Sequence, residues 1–180
     1  MSDTIGNTTL VEYGIKQWAK ECDLMFHVSV ATKRVYRYEP KKAVKAIENK
    51  EYAKRTAKQG NITTATGWLV PPNEIEGCLM MLIPFPILQA ANFSPFDNPS
   101  EKGRKAEKVV RDMIRSGYLS LTLDVINVTD PELQLDGLDI ISIQATNIQV
   151  KCDWNAGPRE LGGTGNLFIQ ETESNPRRLH

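Results

Sequence analysis

The sequence predicts an α/β protein, on three observations. Apolar residues recur at three- and four-residue steps over residues 101–116, the period of an amphipathic helix. Short β-branched and aromatic runs bounded by Gly, Pro, Asn or Asp lie on both sides of that helix and read as strands. The order from residue 98 onward is helix, strand, strand, strand, with one more strand at 166–171.

Taken in order, residues 11–23 place Val11, Ile15, Trp18 and Ala19 at helical spacing. Residues 24–38 are strand-like and end at Pro40. Residues 41–59 read as a basic helix stopped by Gly60, with Ala43, Ile47 and Ala57 as its contacts. Residues 62–70 read as a strand ending in the Pro71–Pro72 turn, and 76–89 as an apolar strand or buried segment interrupted by prolines. The turn-rich stretch NFSPFDNP at 92–99 marks a boundary. Two regions are therefore expected: an N-terminal α+β accessory region over 1–97 and a core over 98–180.

Within the second region Ser100 is the expected N-cap and Gly117 the stop of the helix. Its apolar stripe is Ala106, Val109, Val110, Met113 and Ile114, and Glu107 lies at the stripe's edge. A strand over 118–128 follows. Residues 137–143 and 147–153 then form an antiparallel pair.

Composition limits the functions available. Of 180 residues, 41% are hydrophobic and 24% charged, the profile of an ordinary globular protein. No apolar run approaches the ~20 residues that span a bilayer. The start MSDTIGNTTL lacks a basic stretch leading into an apolar one, so no secretory signal is expected. Cys22, Cys78 and Cys152 are odd in number and widely spaced, the pattern of free thiols in a reducing cytoplasm. With His27 and His180 as the only histidines, a Cys/His metal site is not expected. The net charge of zero hides an asymmetry: residues 33–60 hold ten Lys/Arg and three Glu. Such a block suits phosphate backbones or an acidic partner, and equally a solvated face.

The chemistry is expected where charges enter apolar strands. In Ile148–Gln149–Val150–Lys151 the alternation puts Gln149 and Lys151 on one face and Ile148 and Val150 on the other. Asp139, in GLDII, reaches that face if the two strands pair. An acid, an amide oxygen and a lysine would then converge. Oxygen donors suit Mg²⁺, and a nearby lysine suits the charge on a phosphate in hydrolysis.

Asp139, then nine residues, then Gln149-Val150-Lys151, following the helix EKGRKAEKVVRDMIRSGY, resembles the PD-(D/E)XK nuclease superfamily. The helix is similar to the first helix of Holliday-junction resolvases, with Glu107 at the position of a metal-binding glutamate. The stretch VKCDWNAGPRELGGTGNLFIQE resembles small phage and bacterial members. The resemblance covers about residues 98–175. It implies a restriction-endonuclease-like core, a helix then a mixed β-sheet. It also implies a Mg²⁺-dependent DNA endonuclease of the bacterial cytoplasm, phage-encoded or not, in which Mn²⁺ substitutes.

Asp139, Gln149 and Glu107 would hold the metal, and Lys151 would act at the phosphate. Lys41, Lys42, Lys45, Lys54 and Asn166 would contact nucleic acid. Cleaving both strands of a duplex favours a homodimer or higher homo-oligomer. Gln149 stands where the superfamily carries Asp or Glu, which removes one negative charge. The chain after Lys151 is short for the last helix and strand of such a core, so elements from 1–97, or a second subunit, are expected to complete the sheet.

Other readings compete. Lys151 also fits an edge-strand charge, Glu107 a helix-surface ion pair, and Asp153 and Thr164–Asn166 turns. A catalytically silent nucleic-acid-binding module on the same fold is the first rival function, and an interaction protein binding an acidic partner through 33–60 the second.

Overall fold

The structure, a computed structural model, describes residues 11–12, 14–59, 62–119, 125–127, 140–142 and 146–175. In chain order the elements are β1 (Val11–Glu12), α1 (Ile15–Glu21), β2 (Leu24–Ser29), β3 (Arg34–Tyr38), α2 (Pro40–Asn49), β4 (Lys54–Gln59) and β5 (Ile62–Val70). There follow β6 (Leu79–Leu82), α3 (Phe85–Ala91), α4 (Pro99–Arg115), β7 (Val125–Asn127), β8 (Ile140–Ser142), β9 (Asn147–Cys152) and β10 (Leu167–Asn175). The α/β class expected from the sequence is what folds. No helix among the described residues is long and apolar enough to cross a membrane.

Two sheets form. A six-stranded mixed sheet runs β6-β3-β2-β9-β8-β7, and a four-stranded sheet runs β1-β10-β5-β4. β9 pairs in parallel with β2 and antiparallel with β8. Both sheets take strands from either side of residue 97, so the expected boundary falls in a loop between elements that share sheets.

β2 is buried along its whole length, LMFHVS, because it is central and covered on both faces. One face packs under α3 and α4, where Leu24, Phe26, Val28, Val35, Ile148 and Val150 meet Ala106, Val109, Val110, Met113 and Ile114. The expected apolar stripe of α4 is thus its buried stripe. The other face packs against α1, α2 and the second sheet, where Met25, Tyr36 and Tyr38 meet Ile15, Trp18, Ala43, Val70, Leu167 and Ile169.

Several boundaries move, each for a local reason. The helix expected over 41–59 ends at Asn49, and residues 54–59 are strand β4. Ala43 is buried with Val44 and Ile47 packed beside it, but beyond Asn49 no apolar series continues at helical spacing. Pairing with β5 satisfies that backbone instead. The apolar 76–89 segment divides into β6 and α3 around Pro84. The helix over 101–116 begins earlier, at Pro99. Asn98, not Ser100, is its cap, in a reciprocal capping box with Glu101. Pro99 occupies the first helical position, where its missing N–H costs no bond. Of the strand expected over 118–128, Val125–Asn127 is described as strand β7.

Candidate active site on the polar face of the central sheet

β9 lies between β8 and β2 in the six-stranded sheet; the described pairing with β8 covers Asn147 and Ile148, and Lys151 pairs with His27 of β2. Strand alternation separates its side chains as expected. Ile148 and Val150 join the apolar cluster under α4, and Gln149 and Lys151 face the opposite way. Parallel register places Met25 beside Gln149 and His27 beside Lys151.

The polar row is enclosed. Lys151 Nζ lies 4.5 Å from the centroid of the Trp18 ring, presented by α1. A cation over an aromatic face is stabilised by roughly 0.5–2 kcal/mol, which helps hold a half-buried ammonium in place. Gln149 is 4% exposed, and its Nε2 donates to the Val150 carbonyl at 3.2 Å.

His27 is 2% exposed, with Nε2 2.9 Å from Tyr38 Oη and Nδ1 3.7 Å from Asp153 Oδ2. The same Asp153 oxygen accepts the Phe168 N–H at 2.8 Å, and Asp153 N–H donates to Val28 O at 3.0 Å. Asp153 therefore fastens β10 through its carboxylate and β2 through its backbone N–H at the end of β9. Burial, then the nearby Cys78 and Asp153, hold the Tyr38 phenol well above its ordinary pKa, so it is neutral.

The chain after β9 is tied back over this face. Ser29 Oγ donates to Ala156 O at 2.7 Å, and Thr32 Oγ1 lies 2.8 Å from Ser29 Oγ and 2.9 Å from Ala156 O. Gly157, at φ +106°, has no room for a side chain: a Cβ there would lie 2.2 Å from Tyr36 Oη. Asn166 is engaged locally, its Nδ2 donating to Thr164 O at 3.3 Å while Thr164 Oγ1 donates to Asn166 O at 3.3 Å. Thr164 and Asn166 thus bond to each other across a bend.

Glu107 is carried by α4, which covers the Ile148–Val150 side of the sheet. The structure does not place it on the face that carries Gln149 and Lys151. Asp139 lies outside the described residues. Among the described residues no group of three or more His, Cys, Asp or Glu is arranged to hold a metal ion.

Four lysines of the basic block have acidic partners. Lys42 pairs with Glu76 at 2.5 Å and Lys45 with the same carboxylate at 3.8 Å. Lys50 pairs with Glu74 and Lys54 with Glu171, both at 2.8 Å. Those salt bridges from Lys42 and Lys50 hold Glu76 and Glu74 below the usual carboxylate range. Lys41, also expected to contact nucleic acid, is exposed on α2. Burial pushes the Cys78 and Cys152 thiols up to about 12, leaving these two protonated at neutral pH.

His27, Tyr38 and Trp18 are the members of this face that sequence reasoning missed, and Asp153 was read as a turn residue. The signal for His27 was available: a histidine inside an unbroken apolar strand needs a partner. Its partners, 11 and 126 positions away along the chain, are visible only in the fold.

Among known proteins no family model, no curated protein and no solved structure matches the chain.

Proposed function

We propose that the protein is a Mg²⁺-dependent DNA endonuclease, a hydrolase of phosphodiester bonds whose chemistry belongs to the Gln149–Lys151 face of β9. The observation that carries this reading is the placement of β9. It is an interior strand of a mixed sheet, with α4 against one face and α1 against the other. A helix, α1, and a parallel strand, β2, lie beside β9, which is compatible with a restriction-endonuclease-like core. Lys151 sits half-buried on the polar face of β9, two residues from an amide oxygen and over the Trp18 ring.

Lys151 is the charge-stabilising group. Its ammonium is fixed by Trp18, so it is preorganised for negative charge that develops on a phosphate in the transition state. Gln149 supplies one neutral, hard oxygen donor beside it. The carboxylate described on this face, Asp153, lies beside His27 and accepts the Phe168 N–H, so a Mg²⁺ site at Gln149 would need Asp139 as well. A Mg²⁺ ion held by Gln149 and Asp139 would supply polarisation of the phosphodiester and a more acidic bound water.

A second reading is favoured by one observation, the burial of Gln149. An amide that is 4% exposed and donating to the backbone suits a structural role, and hence a nucleic-acid-binding module without catalysis.

Cleavage of plasmid, linear oligonucleotide and four-way-junction DNA, with Mg²⁺, Mn²⁺ or EDTA, separates the two. The nuclease reading expects nicking or cutting with either metal and none in EDTA. Salt-sensitive binding with no cleavage under any metal supports the second reading.

A further inference from the structure

We infer that the β6 edge of the six-stranded sheet is a self-association surface, taken up by β6 of a second copy of this chain in antiparallel register about Met81. Among the described strands β6 ends its sheet and pairs with β3 alone. Ile83 N–H donates to Lys33 O at 3.0 Å. By the alternation of an antiparallel ladder, Leu79 and Met81 also direct their backbone groups at β3, while Met80 and Leu82 direct theirs away from the sheet. The edge therefore presents backbone donors and acceptors at Met80 and Leu82.

The side chains around those groups are unusual for an exposed edge. Leu79, Met80, Leu82 and Phe85 are 50, 52, 61 and 72% exposed. No Asp, Glu, Lys or Arg occurs between Glu76 and Asp97, in a chain that is 24% charged. Edge strands are ordinarily protected by lysine, a bulge or an inward charge. β6 has only its shortness and the Pro84 that follows it.

An identical strand is the occupant that fits. A charged partner gains nothing from an uncharged edge. A two-fold axis through Met81 pairs Met80 of each copy with Leu82 of the other, so both outward residues on both edges are satisfied. The same axis continues the apolar rows across the join. The four exposed side chains supply on the order of 400 Å² per copy, taking about 150–250 Å² for a whole aromatic side chain. That is roughly half of the ~800 Å² each partner gives to a standard interface, so the dimer is expected to depend on concentration.

The test is sedimentation velocity or light scattering on the full chain without DNA, from micromolar to submillimolar concentration. Its outcome is thus independent of whether the protein cleaves. The wild type is expected to move from the 20.2 kDa chain mass toward twice that value. Leu82→Lys should remain at the chain mass with an unchanged circular dichroism spectrum. Met81→Cys should form a covalent dimer on mild oxidation, because residues facing each other across such an axis have Cα atoms about 4.5 Å apart, within disulfide reach. If Leu82→Lys does not fold, the cross-link decides alone: its formation supports the pairing and its absence overturns it. A wild type that is monomeric throughout, or a dimer that survives Leu82→Lys while Met81→Cys fails to cross-link, would overturn the inference.

Discussion

The two faces of the central sheet are built from the same strands and differ in almost every other respect. Toward α4, β2 and β9 present Leu24, Phe26, Val28, Ile148 and Val150, an unbroken apolar row. Toward α1 the intervening positions are Met25, His27, Ser29, Gln149 and Lys151. A sheet covered on both sides needs no polar residue in either row for stability, and each one buried requires a partner. The first face therefore reads as the fold's foundation. The second carries polar groups that each need a partner to be buried there.

This contrast sets an order of expected effects. The largest belongs to the apolar face. Phe26, fully buried, is expected to cost about 3–5 kcal/mol on truncation to Ala, measured by urea unfolding. A loss under about 1 kcal/mol would mean that this face relaxes freely and is not the foundation.

An intermediate effect belongs to the network of the polar face. His27→Phe replaces the imidazole by a somewhat larger aromatic ring and takes away the nitrogen beside Tyr38 Oη and the group facing Asp153. It is expected to destabilise by about 1–3 kcal/mol, the cost of leaving buried polar groups unpaired. An unchanged or raised stability would show that the histidine is held there at a cost to the fold. It would then join Lys151 as a functional candidate.

The smallest effect is expected at the basic block. Lys42, Lys45 and Lys54 already face Glu76 and Glu171, so replacing them and Lys41 by Gln should change the salt dependence of DNA binding little. One lost phosphate contact changes the slope of log affinity against log salt by about 0.9. A change approaching the value for four contacts would show that these lysines leave their glutamates for phosphates and form the main DNA surface.

What the sequence made legible follows from the range of the interactions involved. The α4 stripe, the β5 strand and the split of Gln149 and Lys151 from Ile148 and Val150 are all set by residues a few positions apart. Period alone exposes them. The end of α2 was misread because lysines and glutamates tolerate a helix well. The Gly60–Asn61 pair between residues 54–59 and 62–70 was the stronger signal, since two such residues between strand-like runs mark a hairpin. The pairing of four lysines of the basic block with acidic partners was not legible at all. Glu74, Glu76 and Glu171 lie 24 to 117 positions from the lysines they meet. The same holds for the His27–Asp153 contact and for Trp18 over Lys151, which exist only once α1, β2 and β9 are assembled.

The most direct test of the claim that the polar face carries the chemistry is Lys151→Ala, assayed for single-turnover cleavage, for DNA binding at one salt concentration and for stability. Lys151 is half-buried with its ammonium over Trp18, and the side chain is outside the apolar cluster under α4. Stability should stay within about 1 kcal/mol of the wild type. Losing one preorganised transition-state group costs on the order of 10²–10³ in rate, far more than one phosphate contact costs in affinity. The expected result is near-normal binding and fold with cleavage slowed at least about a hundredfold. Cleavage at the wild-type rate, or a fall in cleavage matched by an equal fall in binding, would contradict it.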